Sequence, residues 1–466
     1  MEKFKQEKGN VALIFITSIV VHFMMIFMSG YWWDDLKFSV LPFSYLRDHY
    51  ILAGRIDAYY LIGLISWMPD WLFRCIVLLC FSMCATLIYF IFLFVFKNRD
   101  LSLVVSILFN VIPVNDARIM RCVFPYTISL LMFCTATLLM IIYQNNKVNK
   151  NIFVRLLSIV LFFVSFSTNS LLVFYVIPLS IIFAKILKNV KNKGLHQISE
   201  TIKDLSKWSD YYLLPLLFWI IKNKWFSPVP GGQYDGYNKI TLDNLIMAFV
   251  KTPYAMVKVC VDVCKNWLQV IERYPWIIFL YLLILIVCYF KTQYTNTEQL
   301  NKKEILFIVI IGIMVLAIGL FPYVVVRSST ISCNGIIGRD SLLTCLGISM
   351  LIYSALSFSN TPRWLKQSFL CCLIITSQIH FSHWYLLYLE STYEQMALQK
   401  MWLKTEEIEN GSTFIYVSKN SSIINSERFY SLNALSKEVY GDSSRFFAIN
   451  PSDLIYLTQA GDNTRK

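Results

Sequence analysis

The chain has 466 residues, of which 56% are hydrophobic and 15% are charged. Soluble proteins carry roughly 25% charged residues, so this composition excludes an ordinary soluble protein and indicates a membrane protein. The net charge is +13, and in a membrane protein such an excess reflects the lysines and arginines that fix the orientation of the helices. The sequence has no basic stretch interleaved with aromatic residues, so nucleic-acid binding is not expected.

Apolar runs follow one another along most of the chain, and a spanning helix needs about twenty such residues. The first run is too long for a typical signal peptide, and no small-residue cleavage site follows it, so we expect a retained helix. The short run at 58–67 is predicted to lie along the membrane interface. Eleven runs are predicted to span, near residues 11–30, 71–96, 101–115, 123–143, 152–166, 169–186, 211–226, 275–290, 304–326, 341–358 and 365–389.

The distribution of positive charge predicts the orientation. Most lysines and arginines of the short loops fall on the same side of the membrane as the N-terminus. Positive residues are retained on the cytoplasmic side, so the N-terminus is expected in the cytoplasm. The segments 31–70 and 227–274 and the tail 390–466 would then lie outside. The sequence therefore predicts an all-α polytopic membrane protein of about eleven spans in residues 1–389.

The tail has a soluble composition and a different pattern. "STFIYVSKN" at 412–420 and "RFFAI" at 445–449 are possible strands, and a helix-prone stretch at 392–409 precedes them. The tail is predicted to form a small α/β appendage.

Two adjacent acids, Asp34 and Asp35, follow the first predicted helix in "WWDD". A carboxylate whose pKa lies near neutral can take a proton from a hydroxyl nucleophile. Repulsion between neighbouring carboxylates raises one of their pKa values. The two residues are therefore candidate catalytic bases, and the alternative is a solvated helix end.

Several arginines are predicted to lie on the outer side of the membrane, as are Asp34 and Asp35. A guanidinium forms charge-assisted hydrogen bonds with phosphate, and on a helix Arg118 and Arg121 would share a face. Asp116 is a candidate to orient Arg118. Lipid headgroup contact or a salt bridge is the alternative for each arginine. The candidate phosphate ligands are Arg118, Arg121, Arg327 and Arg339.

Aromatic residues in the outer loops are candidate sugar contacts. Tyr234 and Tyr237 lie in "PGGQYDGYN", and tyrosine faces stack on sugar rings while their hydroxyls form hydrogen bonds. Trp33 has the same potential, and Arg55 closes the first loop in "LAGRID". An ordinary turn, or an interfacial belt of aromatic residues, is the alternative interpretation.

Motifs for other chemistries are absent from the sequence. The cysteines contain no CxxC, the five histidines show no ligand spacing, and no Walker loop or GxGxxG occurs. We predict neither a cofactor nor a metal. Soluble nucleotide-activated donors are generally absent outside the cell, so a donor used there would be delivered by lipid.

With these motifs the chain resembles the GT-C class of multispanning glycosyltransferases, closest in style to the Gtr-type glucosyltransferases that modify bacterial O-antigen. The features that carry the resemblance are "WWDD", "AGRID", "NDARIMR", "PGGQYDGYN", "FPYVVVRSS" and "GRDSLL". The resemblance implies that Asp34 or Asp35 is the catalytic acid/base. It also implies a sugar on undecaprenyl phosphate as donor and a single displacement with inversion.

The sequence thus predicts a bacterial inner-membrane glycosyltransferase with a periplasmic active site and a glycan acceptor. Two alternatives stay open. An O-antigen polymerase or ligase would share the multispanning fold and the outer arginines. A lipid-linked sugar flippase tends to place charged residues in mid-membrane at the interface of a repeat, and no internal repeat is evident here.

Overall fold

The computed structural model of the chain is almost entirely helical. It describes residues 7–32, 35, 50–51, 53–66, 68–145, 151–191, 205–228, 240–291, 300–326, 331–358, 361–404, 413–415, 429–441 and 446–448. The α-helices are α1 (Lys8–His22), α2 (Ile56–Ser66), α3 (Asp70–Phe96), α4 (Arg99–Val111), α5 (Phe124–Asn145), α6 (Ile152–Ser165), α7 (Asn169–Phe174), α8 (Val176–Lys191), α9 (Ser209–Trp225), α10 (Leu242–Arg273), α11 (Ile277–Lys291), α12 (Lys302–Val326), α13 (Thr344–Phe358), α14 (Arg363–Lys404) and α15 (Phe429–Tyr440). Short 3-10 helices cover Phe23–Phe27, Asp116–Ile119, Arg121–Val123 and Ile336–Ser341, and the strands are β1 (Thr413–Ile415) and β2 (Phe446–Ala448).

Several helices are long and apolar enough to cross a membrane, which agrees with a multi-pass membrane protein. Of the residues described, six helical segments meet both conditions: Lys8–Phe27, Asp70–Phe96, Arg121–Asn145, Asn169–Leu187, Lys302–Val326 and Arg363–Lys404. A seventh crossing is added if α10 and α11 together count as one span. Helices α6 and α13, with 14 and 15 residues, rise only about 22 Å, less than the roughly 30 Å of hydrocarbon. The count of eleven spans therefore stays a prediction.

A tight turn joins α3 to α4 and makes them antiparallel. Lys97 ends α3 in the left-handed conformation at φ 56°. Asn98 then begins α4, because its side chain accepts a hydrogen bond from the Leu101 N–H at 2.8 Å. The turn brings Arg99 to within 2.7 Å of the Glu7 carboxylate at the start of α1.

The bundle has two distinct ends. At the Glu7 end, Glu7 accepts a hydrogen bond from the Tyr89 hydroxyl at 2.6 Å. At the opposite Asp35 end, Asp35 accepts one from the backbone N–H of Arg121 at 2.8 Å. Helix α1 runs from the Glu7 end to the Asp35 end, α3 runs back, and α4 runs toward the Asp35 end again. The predicted topology requires this alternation. Which end faces the cytoplasm stays a prediction.

Glycines allow α12 and α13 to pack closely. A Cβ atom on Gly347 would lie 2.8 Å from the Gly312 carbonyl oxygen and 2.7 Å from the Leu316 nitrogen. Only glycine fits this contact, and small residues are the usual means by which membrane helices approach one another. The 3-10 helix Ile336–Ser341, which precedes α13, packs against α12.

Helix α14 has 42 residues and is about 63 Å long, so it extends well beyond the membrane core. Its last turns contact α15, where the Tyr440 hydroxyl donates to the Trp402 carbonyl at 3.0 Å. Strands β1 and β2 pair in parallel, with Phe414 opposite Phe447. Both lie where strands were predicted, and an α/β appendage as a separate unit stays a prediction.

Candidate functional site

Asp35 is buried and fixes the first loop to the segment that precedes α5. Its two carboxylate oxygens accept hydrogen bonds from the backbone N–H groups of Arg121 at 2.8 Å and Cys122 at 2.7 Å. Burial raises the pKa of Asp35 to about 6, while these two N–H donors oppose the rise. The alternative of a solvated helix end is wrong for Asp35, which is buried against the segment that precedes α5.

Arg121 lies beside this carboxylate, but its side chain points toward the start of α3. The guanidinium donates to the backbone carbonyl of Ile65, to that of Met68 at 2.7 Å, and to the Asp70 carboxylate at 2.8 Å. It also lies 5.2 Å from the centre of the Phe73 ring. Arg121 therefore joins α2, the α2–α3 turn and α3 in one network.

Arg74 completes the same group of charges one turn along α3. Its guanidinium lies 3.3 Å from the Asp70 carboxylate, 3.2 Å from the Gly30 carbonyl and 5.2 Å from the centre of the Trp32 ring. Asp70 also accepts a hydrogen bond from the Gly30 N–H at 3.0 Å. We call Trp32, Asp35, Asp70, Arg74 and Arg121 the Asp35 cluster; its two acids balance its two arginines.

Asp116 is a second buried carboxylate at this end of the bundle. It accepts hydrogen bonds from the Gly335 N–H at 2.9 Å and 3.1 Å and from the Tyr388 hydroxyl at 2.6 Å. Burial raises the pKa of Asp116 to about 6, and the hydrogen bond from Tyr388 is the largest opposing effect. The preceding residue, Asn115, has a left-handed φ of 57°, which turns the chain so that Asp116 faces inward.

Tyr388 on α14 connects Asp116 to the Asp35 cluster. Its carbonyl oxygen accepts a hydrogen bond from the Trp32 indole N–H at 2.8 Å, and the two rings lie 5.4 Å apart. Trp32 is 3% exposed, so it packs inside the protein and does not belong to an interfacial belt. One long helix thus touches both acidic sites.

Arg118 does not join Arg121. It is 2% exposed and donates to the backbone carbonyls of Asn115 and Val114, both at 2.8 Å. Its guanidinium lies 4.4 Å from the centre of the Phe81 ring and 4.9 Å from that of Phe381. The predicted common helix face is wrong, because Met120 is extended and separates two 3-10 helices.

His22 on α1 closes the network around Arg118. Its Nε2 lies 3.1 Å from an Arg118 nitrogen and 3.0 Å from the Asn110 carbonyl oxygen. Arginine only donates and a carbonyl only accepts, so Nε2 can serve one of them at a time. Its Nδ1 contacts the Tyr385 hydroxyl at 3.2 Å, and a hydroxyl fits either tautomer.

Arg339 and Arg55 occupy other positions at the same end. Arg339 lies in the 3-10 helix Ile336–Ser341, 5.4 Å from the centre of the Tyr126 ring and 3.6 Å from the Asp340 carboxylate. Arg55 is half-buried and follows the turn at Gly54, whose φ is 67°. That turn packs against the Phe226 carbonyl at the end of α9.

Other sequence predictions lie outside the described residues. They are Asp34, Trp33, Arg327, Tyr234 and Tyr237. Their predicted roles are neither supported nor contradicted by the geometry above.

Sequence reasoning missed three residues of this region. Asp70 and Arg74 are spaced i, i+4 at the start of α3 in "PDWLFR", and that spacing could have indicated an ion pair. Tyr388 lies within an apolar run, and no local pattern distinguishes it from a core tyrosine. Within the described part of the chain, no group of three or more His, Cys, Asp or Glu is arranged to hold a metal ion.

Comparison of the chain with protein-family models, curated proteins and solved structures found no match.

Proposed function

We propose that this chain is a membrane-embedded glycosyltransferase that moves a sugar from a polyprenyl phosphate to a glycan hydroxyl at the Asp35 end of the bundle. The observation that carries the proposal is the geometry around two buried carboxylates. Asp35, which follows Asp34 in the chain, fixes the first loop, and Asp116 fixes the loop that leads to Arg339. Burial also raises the pKa of both acids to about 6, and such shifts cluster at functional sites as well as in structural networks.

The proposed reaction is a single displacement. A carboxylate takes the proton of the acceptor hydroxyl, whose oxygen then bonds to the anomeric carbon of the sugar. The bond from that carbon to the phosphate oxygen breaks, and polyprenyl phosphate leaves with the electron pair. An arginine near the leaving phosphate stabilises its developing charge.

Asp34 and Asp35 have different roles in this proposal. Both oxygens of Asp35 already accept backbone hydrogen bonds, so we assign Asp35 to positioning. The base is then Asp34, its neighbour in the chain, on the strength of its place in the sequence. Asp116 binds Gly335 and Tyr388, and we assign it to holding the loops together.

The arginines also divide into two groups. The guanidinium of Arg118 is enclosed by carbonyls and aromatic rings, and that of Arg121 by carbonyls and Asp70, so we assign both to structural support. The Arg339 side chain is 12% exposed, against 5% for Arg121. We therefore assign the donor phosphate to Arg339, together with Arg327 from the sequence prediction.

The remaining parts of the proposal come from the sequence. They are a bacterial inner membrane, eleven spans, a cytoplasmic N-terminus and a periplasmic α/β appendage at 390–466. The donor is undecaprenyl phosphate carrying glucose, and the acceptor is O-antigen. Trp33, Arg55, Tyr234 and Tyr237 are assigned to the sugars.

The proposal is tested in proteoliposomes that contain the purified protein, radiolabelled polyprenyl-phosphate glucose and lipopolysaccharide bearing O-antigen. We expect label to move to the polysaccharide with wild type and not with Asp34→Asn at matched protein level. Movement of the labelled lipid between leaflets without transfer would instead identify a flippase. Joining of polysaccharide chains without glucose transfer would identify a polymerase or ligase.

A further inference from the structure

Helix α10 runs in a different direction from the apolar helix α11 that follows it. It has 32 residues, so it is about 48 Å long, and it meets α11 at an angle of 106°. Helix α11 packs along the spanning helix α14, with Tyr281 against Thr376 and Tyr289 against Trp364, so the two helices run roughly along the same axis. Helix α10 then lies roughly in the plane of the membrane.

Both halves of α10 touch parts of the protein at the Asp35 end. Near its start, Asn244 and Met247 line a cavity of about 150 Å³ with Val325 at the end of α12. Near its end, the Asn266 side chain donates to the Pro113 carbonyl at 3.0 Å. Since Pro113 closely precedes Asp116, both contacts lie toward the Asp35 end of the bundle.

The side chains of α10 form three stripes. One face is buried, and its members recur every three or four residues: Ala248, Thr252, Ala255, Val259, Val263, Asn266 and Val270. The opposite face is apolar and exposed, with Ile246, Val250, Tyr254, Val257, Val261 and Leu268 each more than two-fifths exposed. Between them Lys251, Lys258 and Lys265 follow one another at seven-residue spacing.

We propose that α10 is an interfacial helix that lies on the membrane at the Asp35 end, with its exposed apolar stripe among the upper acyl chains and its lysine stripe at anionic headgroups. A helix with a wide apolar face, a polar face and lysines binds the boundary between headgroups and acyl chains. Helix α11 enters the same bilayer directly after α10, so lipid is the partner that already lies against this face. The opposite charges of lysine and lipid phosphate fit this partner.

The Asn266 side chain makes the interfacial helix relevant to the acidic sites. Asn266 and Asn334 exchange two hydrogen bonds of 2.9 Å between their amides. Asn334 immediately precedes Gly335, which donates to Asp116. The lipid-bound helix therefore braces the loop that holds Asp116, and this inference does not depend on the reaction that the protein performs.

The test places a photo-crosslinking residue, benzoylphenylalanine, at single positions of the full chain in vesicles of clickable phosphatidylglycerol. We expect lipid adducts of similar yield at Val250, Val257 and Val261, and at least about fivefold less at Gln269, which lies beside the lysine stripe. Leu283, exposed on α11, serves as the lipid-facing control. Adducts only to protein, or no adducts at the three valines while Leu283 reacts, would overturn the proposal.

A second measurement separates the plane of the membrane from a tilted crossing. Spin labels at the same three valines, in a background without the native cysteines, report depth by their collision with oxygen and with a water-soluble nickel complex. We expect one depth along the helix. A depth that changes by most of the roughly 30 Å hydrocarbon core would contradict the proposal.

The lysine stripe has its own readout. In the variant K251Q/K258Q/K265Q, the ratio of phosphatidylglycerol adducts to phosphatidylcholine adducts at Val257 is expected to fall about fivefold. Total lipid adducts should persist, because the apolar stripe is intact. An unchanged preference would show that the lysines do not bind anionic headgroups.

Discussion

Tyr388 donates its hydroxyl to the Asp116 carboxylate at 2.6 Å, although 272 positions separate the two residues in the chain. The same tyrosine accepts the indole N–H of Trp32 through its carbonyl oxygen. Helix α14 therefore holds the first loop and the Asp116 loop in a fixed relation.

Replacement of Tyr388 by phenylalanine is expected to weaken this connection. The variant removes a donor from a buried carboxylate, so we expect a loss of about 1–3 kcal/mol of stability. The pKa of Asp116 should rise further, because the lost hydrogen bond favours the ionised form. Melting in detergent at pH 8, where Asp116 is ionised, should therefore show a larger loss than melting at pH 5.

The control for that experiment is Tyr254→Phe. Tyr254 lies on the exposed stripe of α10 and is 72% exposed. Its variant should melt like wild type at both pH values. Equal melting of the Tyr388 variant and wild type would show that the hydrogen bond to Asp116 contributes nothing to the fold.

Substitution of Asp34 and of Asp35 should have different effects on sugar transfer and on melting. Asp34→Asn is expected to reduce sugar transfer about 10²–10⁴-fold, the usual loss when a general base is removed, with normal melting. Asp35→Asn places an amide NH₂ against a backbone N–H that now donates to a carboxylate oxygen, so it should lower the melting temperature. Transfer assays at matched protein level and melting curves together distinguish a base from a positioning residue. Normal melting of Asp35→Asn with full loss of transfer would reverse the two roles.

The long apolar helices could be predicted from the sequence, but helix α10 in the segment 227–274 and the contacts between distant residues were not. Apolar runs of twenty or more residues identified α1, α3 and α12, because burial in lipid requires that length. Trp32 and Tyr388 are 356 positions apart, and nothing local to either residue indicates their pairing.

Asp35 shows a second reason why these contacts could not be predicted from the sequence. A carboxylate just after a spanning helix is consistent with exposure, and only the path of the loop buries it against Arg121. Arg118 and Arg121 show the same limit, because their spacing indicates one face only if a single helix contains both. The extended residue Met120 between them has no clear signal in the sequence.

The arginines give a further pair of predictions. Arg339→Ala is expected to raise the KM for the polyprenyl-phosphate donor about tenfold, from the loss of one charge-assisted contact. Arg121→Ala removes the donor to two carbonyls and Asp70, so it should destabilise the protein before any effect on donor binding appears. Arg121→Lys should not restore stability, because lysine lacks the planar fork that reaches three acceptors. A normal KM in a well-folded Arg339→Ala variant would remove this arginine from the donor site.

The two raised carboxyl pKa values also predict how stability depends on pH. Asp35 and Asp116 titrate near pH 6 in the folded protein, against an ordinary value of 3.8. Between these values the folded state binds more protons than the unfolded state, so stability falls as pH rises from about 4 to about 6. Above about pH 7 both states have lost these protons, and the two residues add no further slope.

Melting temperatures measured in detergent from pH 4 to pH 8 test this expectation. The variants Asp35→Asn and Asp116→Asn should each reduce the decline between pH 4 and pH 6, because asparagine does not titrate, even though each is less stable overall. Asp243→Asn, at an exposed position on α10, is the matched control and should keep the full decline. A decline of the same steepness in wild type and in both buried-site variants would show that neither acid has a raised pKa in the folded protein.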